Sequence, residues 1–175
     1  MSSAREEGGE RERERDKEIE AIAVFNTKKI KGVVRFRQPT HRTAPVTIEV
    51  NLQGLKKNGI HGFHIHEYGD MSDSCESMCN HFNPTQSHHG GPHSQIRHVG
   101  DLGNLHADSH GAVETVFSDR LIKLTGQKFN IVGRGLIIHE DEDDLGMGGN
   151  EASLKTGNAG KRIACAVIGY AKPQK

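Results

Sequence analysis

The chain has 175 residues, and its 23 Lys and Arg side chains are balanced by 23 Asp and Glu side chains. This length is sufficient for one domain with a hydrophobic core. The charge is uneven, because residues 1–20 contain five basic and eight acidic side chains and residues 21–175 therefore carry a net charge of +3. So small an excess, without a run of Lys and Arg, excludes a protein built to bind a nucleic-acid backbone.

The N-terminal segment alternates Arg and Glu and has almost no apolar residues. Such a segment cannot bury enough surface to offset its ordering entropy. We therefore expect residues 1–18 to form a charged, disordered tail and residues 19–175 to form a single domain. The N-terminus is too charged for a secretory signal, and no run of about 18 apolar residues is present to span a membrane. The sequence predicts a cytoplasmic protein with no membrane partner.

Short stretches of alternating polarity dominate the rest of the chain. Residues 46–52 alternate apolar and polar side chains, which is typical of a half-buried strand. Further candidate strands lie at 22–24, 33–36, 61–66, 104–108, 112–117, 133–139 and 162–169. Glycine, at 21 of 175 residues, separates many of these stretches. The pattern indicates an all-β antiparallel sandwich or barrel.

Two long connections interrupt the strands, at residues 67–103 and 140–161. Loops longer than about 12–15 residues without structure of their own are uncommon, and they are usually functional or disordered. Ten of the twelve histidines lie between His61 and His110, and acidic residues crowd the second connection. We therefore expect both loops to be functional.

The stretch at 61–66 places two histidines two residues apart. In a strand, His64 and His66 point to one face while Phe63 and Ile65 point to the other. Two residues span about 6.6 Å along a strand, so both imidazoles can reach one ion at about 2.0 Å. The stretch predicts a strand with a core face and a metal-binding face. For an isolated His-x-His pair, two exposed histidines on an edge strand remain the alternative.

Further side chains of ligand type follow this strand. Three imidazoles and one carboxylate would make the closed four-coordinate shell of structural zinc; they are His81, His89, His98 and Asp101. Four imidazoles would make a site that suits copper or zinc; they are His64, His66, His81 and His139. If His81 serves both sets, its ring has lost both protons and bridges two metals. Spacing alone supports a metal site and leaves the two-metal arrangement open.

Five motifs stand in order along the chain: GFHIHEYGD at 62–70, HFNP at 81–84, HGGP at 89–92, RHVGDLGN at 97–104 and GNAGKRIAC at 157–165. With these motifs, the chain from about Ile19 to Pro173 resembles the copper/zinc superoxide dismutases. The resemblance implies an eight-stranded Greek-key β-barrel, which is a flattened sandwich, with two long functional loops. It also implies a homodimer that converts superoxide to oxygen and hydrogen peroxide, with one copper and one zinc ion in each subunit.

The resemblance also implies roles for individual residues. The residues at the copper-ligand positions are His64, His66, His81 and His139. The residues at the zinc-ligand positions are His81, His89, His98 and Asp101. Asp143 matches the carboxylate that links His64 to His89 and fixes their rings. Arg162 matches the cation that receives the anion beside copper, while His81 releases copper and takes a proton during turnover. The other histidines in this region match no ligand position and are expected at the surface or in hydrogen bonds; they are His61, His88, His93, His106 and His110.

Three cysteines are present, and the resemblance implies a disulfide between Cys75 and Cys165. Cys79 would then be a free thiol, with mispairing to Cys165 as the alternative. The residues that match electrostatic guidance positions are Glu151, Lys155 and Thr156. Ala152 stands where the family commonly has a second glutamate, and residues 140–144 are unusually acidic.

Partners follow from the same resemblance. The residues at family dimer-interface positions are Gly69, Gly133 and Tyr170. A copper chaperone is a further possible partner. The alternative function is a copper-binding, dismutase-like carrier or an inactive decoy. A carrier is disfavoured because no cysteine precedes Cys75 or follows Cys165, and a decoy because no ligand, arginine or disulfide position is lost.

Overall fold

The computed structural model describes residues 18–40 and 43–172. The strands in these residues are β1 (Glu18–Asn26), β2 (Lys31–Pro39), β3 (Val46–Gln53), β4 (Ile60–His66), β5 (Asp101–His106), β6 (Val113–Asp119), β7 (Gly135–His139), β8 (Arg162–Val167) and β9 (Gly169–Tyr170). The helices are a single 3-10 turn (Glu76–Met78) and α1 (Ser153–Thr156). The predicted N-terminal tail lies outside the described residues except for Glu18, which begins β1.

The strands form two antiparallel sheets. One sheet has the order β6-β3-β2-β1-β9, and the other has the order β5-β4-β7-β8. Only Ile168 separates β8 from β9, so a single final strand passes from one sheet into the other. Counted in this way the described residues contain eight strands. The chain crosses between the sheets so that β6 returns beside β3 and β7 returns beside β4. The predicted all-β Greek-key fold is confirmed.

The core lies between the two sheets, and alternation along β3 shows how the sequence places it there. Val46, Ile48, Val50 and Leu52 are completely buried, while the residues between them are partly or fully exposed. Because successive side chains of a strand point to opposite faces, one face of β3 supplies four apolar side chains to the core. Burying each contributes roughly 1.5–3 kcal/mol before the loss of side-chain entropy.

Strand β4 is central in its sheet, between β5 and β7. Phe63 and Ile65 are completely buried in the core. His64 and His66 point the opposite way and are also buried. The alternative of exposed histidines on an edge strand is therefore wrong for this chain.

The bounds of β5 differ from the predicted 104–108. The strand begins at Asp101, which pairs with His64 across a bulge in β4 between Gly62 and His64. This extra pairing extends the β4–β5 ladder at the N-terminal end of β5. At the other end, the Asp108 carboxylate accepts hydrogen bonds from the N–H groups of His110 and Ala112, and the chain turns instead of continuing as a strand.

Two long loops connect the strands. The first loop, residues 67–100, ends three residues earlier than predicted because β5 starts earlier, and the second loop, residues 140–161, has the predicted bounds and contains α1. A disulfide between Cys75 and Cys165 ties the first loop to β8, and Cys79 is a free, exposed thiol. No helix within the described ranges is long and apolar enough to cross a membrane.

Candidate metal centre

Four imidazoles meet where β4, β7 and the first loop come together. One nitrogen from each ring lies within 4.8 Å of the others. We call this group the four-histidine cluster; its members are His64, His66, His81 and His139. All four side chains are buried, at 5% exposure or less. A backbone bridge between His66 and His81 holds the loop against the end of β4.

Three rings of the cluster use one nitrogen for a fixed hydrogen bond. His64 Nε2 bonds Asp143 Oδ2 at 2.7 Å, His66 Nδ1 bonds the Cys79 carbonyl at 2.8 Å, and His139 Nδ1 bonds the Gly160 carbonyl at 3.1 Å. The second nitrogen of each ring is buried and has no hydrogen-bond partner among the described residues. Since buried polar atoms are normally satisfied, these three nitrogens indicate a site for a ligand that the described residues do not supply.

The cluster keeps its rings neutral. Burial, followed by the charge of His81, lowers the pKa of His64 to about 3. Burial also lowers the pKa of His139 to about 4, although the hydrogen bond to Gly160 opposes that shift. The pKa values of His66 and His81 are lowered for the same first reason. A neutral imidazole is the form that binds a metal.

A second group is built around one carboxylate, and we call it the Asp101 cluster. Its members are His81, His89, His98 and Asp101, and their ligand atoms also lie within 4.8 Å of one another. Asp101 Oδ1 is 2.9, 3.0 and 3.1 Å from the Nδ1 atoms of His81, His89 and His98. Asp101 Oδ2 is fixed separately by the N–H groups of Gly90 and His98. Three imidazoles and one carboxylate oxygen therefore surround one point.

His81 belongs to both clusters. Its Nδ1 faces Asp101 in the second cluster, and the two nitrogens of an imidazole lie on different edges of the ring. Nε2 is therefore the nitrogen that His81 offers to the four-histidine cluster.

A buried carboxylate, Asp143, joins the two clusters a second time. Its oxygens accept hydrogen bonds from His64 Nε2 and His89 Nε2, both at 2.7 Å. Burial would raise the pKa of Asp143, but these bonds outweigh it and lower the pKa to about 2. Burial would likewise lower the pKa of His89, but its bonds to Asp101 and Asp143 raise the pKa to about 9. Asp143 is therefore a fixed negative charge between the clusters.

The four-histidine cluster opens to solvent through a cavity of about 880 Å³. His66, His81 and His139 form part of its lining. Lys155 and Arg162 bring positive charge to the same cavity. A small anion that enters this cavity therefore meets three imidazole rings of the cluster and two cations.

The sequence matches the family model described as copper/zinc superoxide dismutase over residues 30–168. The chain belongs to the copper/zinc superoxide dismutase family. It is 57% identical over 156 residues to a Cu-Zn superoxide dismutase of Paramecium bursaria Chlorella virus 1, covering 89% of this chain and 81% of that protein. It is 50% identical over 161 residues to an extracellular Cu-Zn superoxide dismutase of Drosophila melanogaster, covering 89% and 87%. It is 49% identical over 152 residues to a Cu-Zn superoxide dismutase of Yarrowia lipolytica, covering 86% and 97%.

In this superoxide dismutase family member, Arg162 begins β8 at the cavity wall. Nη1 donates a 2.6 Å hydrogen bond to the Cys75 carbonyl, and Nη2 donates one of 2.5 Å to the Cys79 carbonyl. Each terminal nitrogen of a guanidinium carries two hydrogens. Within the described residues, the second hydrogen of Nη2 is left for another acceptor.

The residues predicted for electrostatic guidance lie in and beside α1. Lys155 and Thr156 line the cavity. Lys155 Nζ is also 2.6 Å from Glu151 Oε1, and both side chains are largely exposed. The lysine charge is therefore partly cancelled by its neighbour. In the acidic run, Asp143 bridges the clusters and Asp144 accepts hydrogen bonds from Ser153 and Asn158.

Two residues that were not predicted as part of the site support it, and one of them, His61, has the hydrogen-bonded role that was one of its two expected roles. His61 is buried, and its Nδ1 bonds the His139 carbonyl at 2.8 Å. Its position two residues before Phe63 on the core face of β4 could have indicated burial. Asn104 holds the backbone of Asp143 through two bonds of 2.8 Å. No local pattern indicates that contact, because the two residues are 39 positions apart.

Proposed function

We propose that this chain catalyses the disproportionation of superoxide into oxygen and hydrogen peroxide, with copper in the four-histidine cluster and zinc in the Asp101 cluster. The observation that carries the proposal is the set of buried nitrogens of the four-histidine cluster that lack a partner among the described residues: His64 Nδ1, His66 Nε2 and His139 Nε2. They face the remaining ligand atom of the cluster.

The donor sets fit the two metals. Four imidazoles suit copper. Three imidazoles and one carboxylate suit a four-coordinate structural zinc site, which leaves no position for substrate. The hydrogen bonds on the outer nitrogens of His64, His66 and His139 fix which nitrogen of each ring remains available.

Copper, when bound, supplies one-electron oxidation and reduction, whereas zinc has no redox chemistry. His81 is the residue suited to proton transfer, because its Nδ1 stays with Asp101 while its Nε2 can hold a proton at the cavity. Asp143 keeps His64 and His89 in fixed orientations while His81 changes its protonation state.

Arg162 orients the anion. Its guanidinium is fixed by the carbonyls of Cys75 and Cys79, so the hydrogens without a described partner keep a constant direction. Lys155 adds positive charge at the cavity, and Thr156 adds a hydroxyl. A superoxide ion would be attracted by charge and held by a directed N–H group close to the histidine nitrogens.

The test is metal content measured together with superoxide decay on one sample. Protein loaded with copper and zinc should accelerate decay, while metal-free and zinc-only samples should not. Protein that binds one copper ion per chain but leaves superoxide decay at the uncatalysed rate would instead support the inactive copper-binding alternative.

A homodimer is proposed through the face around Gly69, Gly133 and Tyr170. Gly69 packs against Gly133 and Val167. Val24 and Tyr170, on the paired strands β1 and β9, are 56% and 62% exposed. These two exposed side chains are the apolar surface that a partner at this face would cover. Sedimentation equilibrium of wild type and Gly133→Arg would test the dimer, which the arginine should dissociate.

We also propose a cytoplasmic location, and we propose that the charged residues 1–18 form an accessory tail beside one domain at 19–175. Cell fractionation tests the location, since one relative is an extracellular protein. Deletion of residues 1–17 should leave activity and thermal stability unchanged.

A copper chaperone is proposed as the copper donor because the ligand atoms are buried. Copper content after expression with and without a chaperone tests that partner.

A further inference from the structure

Gly157 ends α1 with a positive φ of 67°. Its Cα faces the hydrogen bond between Asp143 and His89. A Cβ atom at this position would lie 2.5 Å from His89 Nε2 and 2.6 Å from Asp143 Cγ, and it would overlap Asp143 Oδ1. Contacts under 3.0 Å are essentially never seen for a real Cβ. Any side chain here must therefore displace either the helix end or the bonded pair.

The Asp143–His89 pair cannot move without breaking several hydrogen bonds. Asp143 is buried, and its carboxylate is bonded to His64, His89 and the N–H group of Leu145. Its backbone is held on both sides by Asn104. Rotating the carboxylate away from position 157 would break bonds to both histidines. The helix end is therefore the part that would move.

The helix end is itself tied to the same ligand pair. The carbonyl of Leu154 in α1 accepts a 2.8 Å hydrogen bond from the backbone N–H of His89. The Gly157 carbonyl accepts one of 2.8 Å from the backbone N–H of Asp144. Because α1 carries Lys155 and Thr156, the approach of its C-terminal end also sets where those side chains lie in the cavity.

We propose that Gly157 is a positioning residue that couples the cavity-lining helix to the carboxylate between the two clusters. The missing side chain lets α1 close over the Asp143–His89 bond and exclude water from it. One contact thereby fixes the orientation of a zinc-site ligand and the position of the cavity cations. The assignment of His89 to zinc rests on the proposed function, but the coupling between Gly157 and Asp143 does not.

A double-mutant cycle tests this coupling. The variants are Gly157→Ala, Asp143→Ala and the double variant, each measured as metal-free protein by urea unfolding. Gly149→Ala is the matched control, because Gly149 lies in the same loop with a φ of 71° but has no atom of the described residues within 4 Å of its Cβ position. It reports the cost of positive φ without the steric clash.

In the wild-type background, Gly157→Ala should raise the unfolding equilibrium constant at least tenfold more than Gly149→Ala does. In the Asp143→Ala background the difference between the two alanines should shrink at least threefold, since the contacts with the carboxylate are gone and the His89 ring is no longer held by it. If Gly157→Ala does not fold, the double variant should restore folding. Equal effects of the two alanines in wild type, or a double variant that also fails to fold while Asp143→Ala folds, would overturn the proposal.

Metal binding gives a second readout that a purely structural role would not move. After loading with zinc, Gly157→Ala should release the ion to a chromogenic chelator about 10–100 times faster than Gly149→Ala, as for other residues that orient metal ligands. The visible spectrum of its Cu(II) form should also shift, because His64 shares the Asp143 carboxylate. Zinc release and a spectrum that match Gly149→Ala would overturn the positioning role, whatever the dismutase activity of the wild type.

Discussion

The guanidinium of Arg162 donates a hydrogen bond to the carbonyl of Cys75, a residue 87 positions earlier in the chain. Cys75 is disulfide-bonded to Cys165, which follows Arg162 on β8. The loop and the strand are therefore joined once by a covalent bond and again by the arginine. The disulfide therefore restrains a residue whose carbonyl accepts from Arg162, the side chain proposed to orient the anion.

Replacing Cys165 with serine should therefore affect both stability and activity. We expect the free energy of unfolding to fall by about 2–5 kcal/mol, because a long loop is no longer closed in the unfolded chain. We expect superoxide decay to slow about tenfold at equal copper content, because Arg162 loses its fixed acceptors. Urea unfolding and stopped-flow decay measure the two effects.

Cys79→Ser is the control for the disulfide variant. Cys79 is a free thiol whose sulfur contacts the Ser77 carbonyl at 3.7 Å, while its own carbonyl serves His66 and Arg162. The substitution keeps that carbonyl and should change activity less than twofold. Full activity of folded Cys165→Ser would show that Arg162 does not depend on the disulfide.

His139→Ala should abolish dismutation while zinc stays bound. His139 belongs to the four-histidine cluster and not to the Asp101 cluster, so only the copper site loses a ligand. Metal analysis should show zinc at the wild-type level and weak copper binding. His106→Ala, which removes an exposed imidazole from β5, is the control and should match wild type. Loss of zinc together with copper would mean that the two clusters cannot be separated.

The buried ion pair next to the Asp101 cluster should be important for stability. Arg97 Nη2 is 2.5 Å from Asp119 Oδ2, and both side chains are at most 5% exposed. Arg97→Met leaves the Asp119 carboxylate buried without a cation, which typically costs about 3–5 kcal/mol. Because Arg97 precedes His98, zinc should also be released faster. Urea unfolding and chelator competition measure these effects.

Arg37→Met provides the comparison. Arg37 pairs with Glu49 at 3.0 Å, but these side chains are 36% and 43% exposed. Pairs of this kind contribute about 0–1 kcal/mol. If Arg97→Met lowers the free energy of unfolding as little as Arg37→Met does, water or local rearrangement compensates for the missing cation beside Asp119.

The sequence predicted most of the fold because strand patterning is local. The alternation at 46–52 places four side chains in the core as expected. The early start of β5 was missed because it depends on a bulge between Gly62 and His64, which no polarity pattern signals.

The candidate site was predictable in its members but not in their supports. Ligand-type residues stand in recognisable motifs, and the structure brings them together in two clusters. The supports for these residues are contacts between distant positions, such as Arg97 with Asp119 and Asn104 with Asp143. Contacts of this kind are set by tertiary packing and leave no periodicity in the sequence.

Superoxide should be steered to the cavity by charge. Residues 21–175 carry a net charge of +3, and Lys155 and Arg162 line the cavity. Because the Debye length falls from about 30 Å at 0.01 M salt to about 8 Å at 0.15 M, the rate constant should fall as salt rises. Arg162→Glu should slow decay far more than Arg162→Lys.

The Glu151–Lys155 pair allows the steering to be tested by changing one charge, because the Glu151 carboxylate lies 2.6 Å from Lys155 Nζ. Glu151→Gln removes the opposing charge and frees the lysine, so the rate at 0.01 M salt should rise about twofold and its salt dependence should steepen. Lys155→Gln should do the reverse, and both effects should shrink at high salt. Glu114→Gln, an exposed position on β6, makes the same change in net charge away from α1 and should have little effect. A wild-type rate that is flat or rises with salt would mean that the acidic side chains at 140–142 dominate the field and that attraction by Arg162 and Lys155 does not limit the encounter.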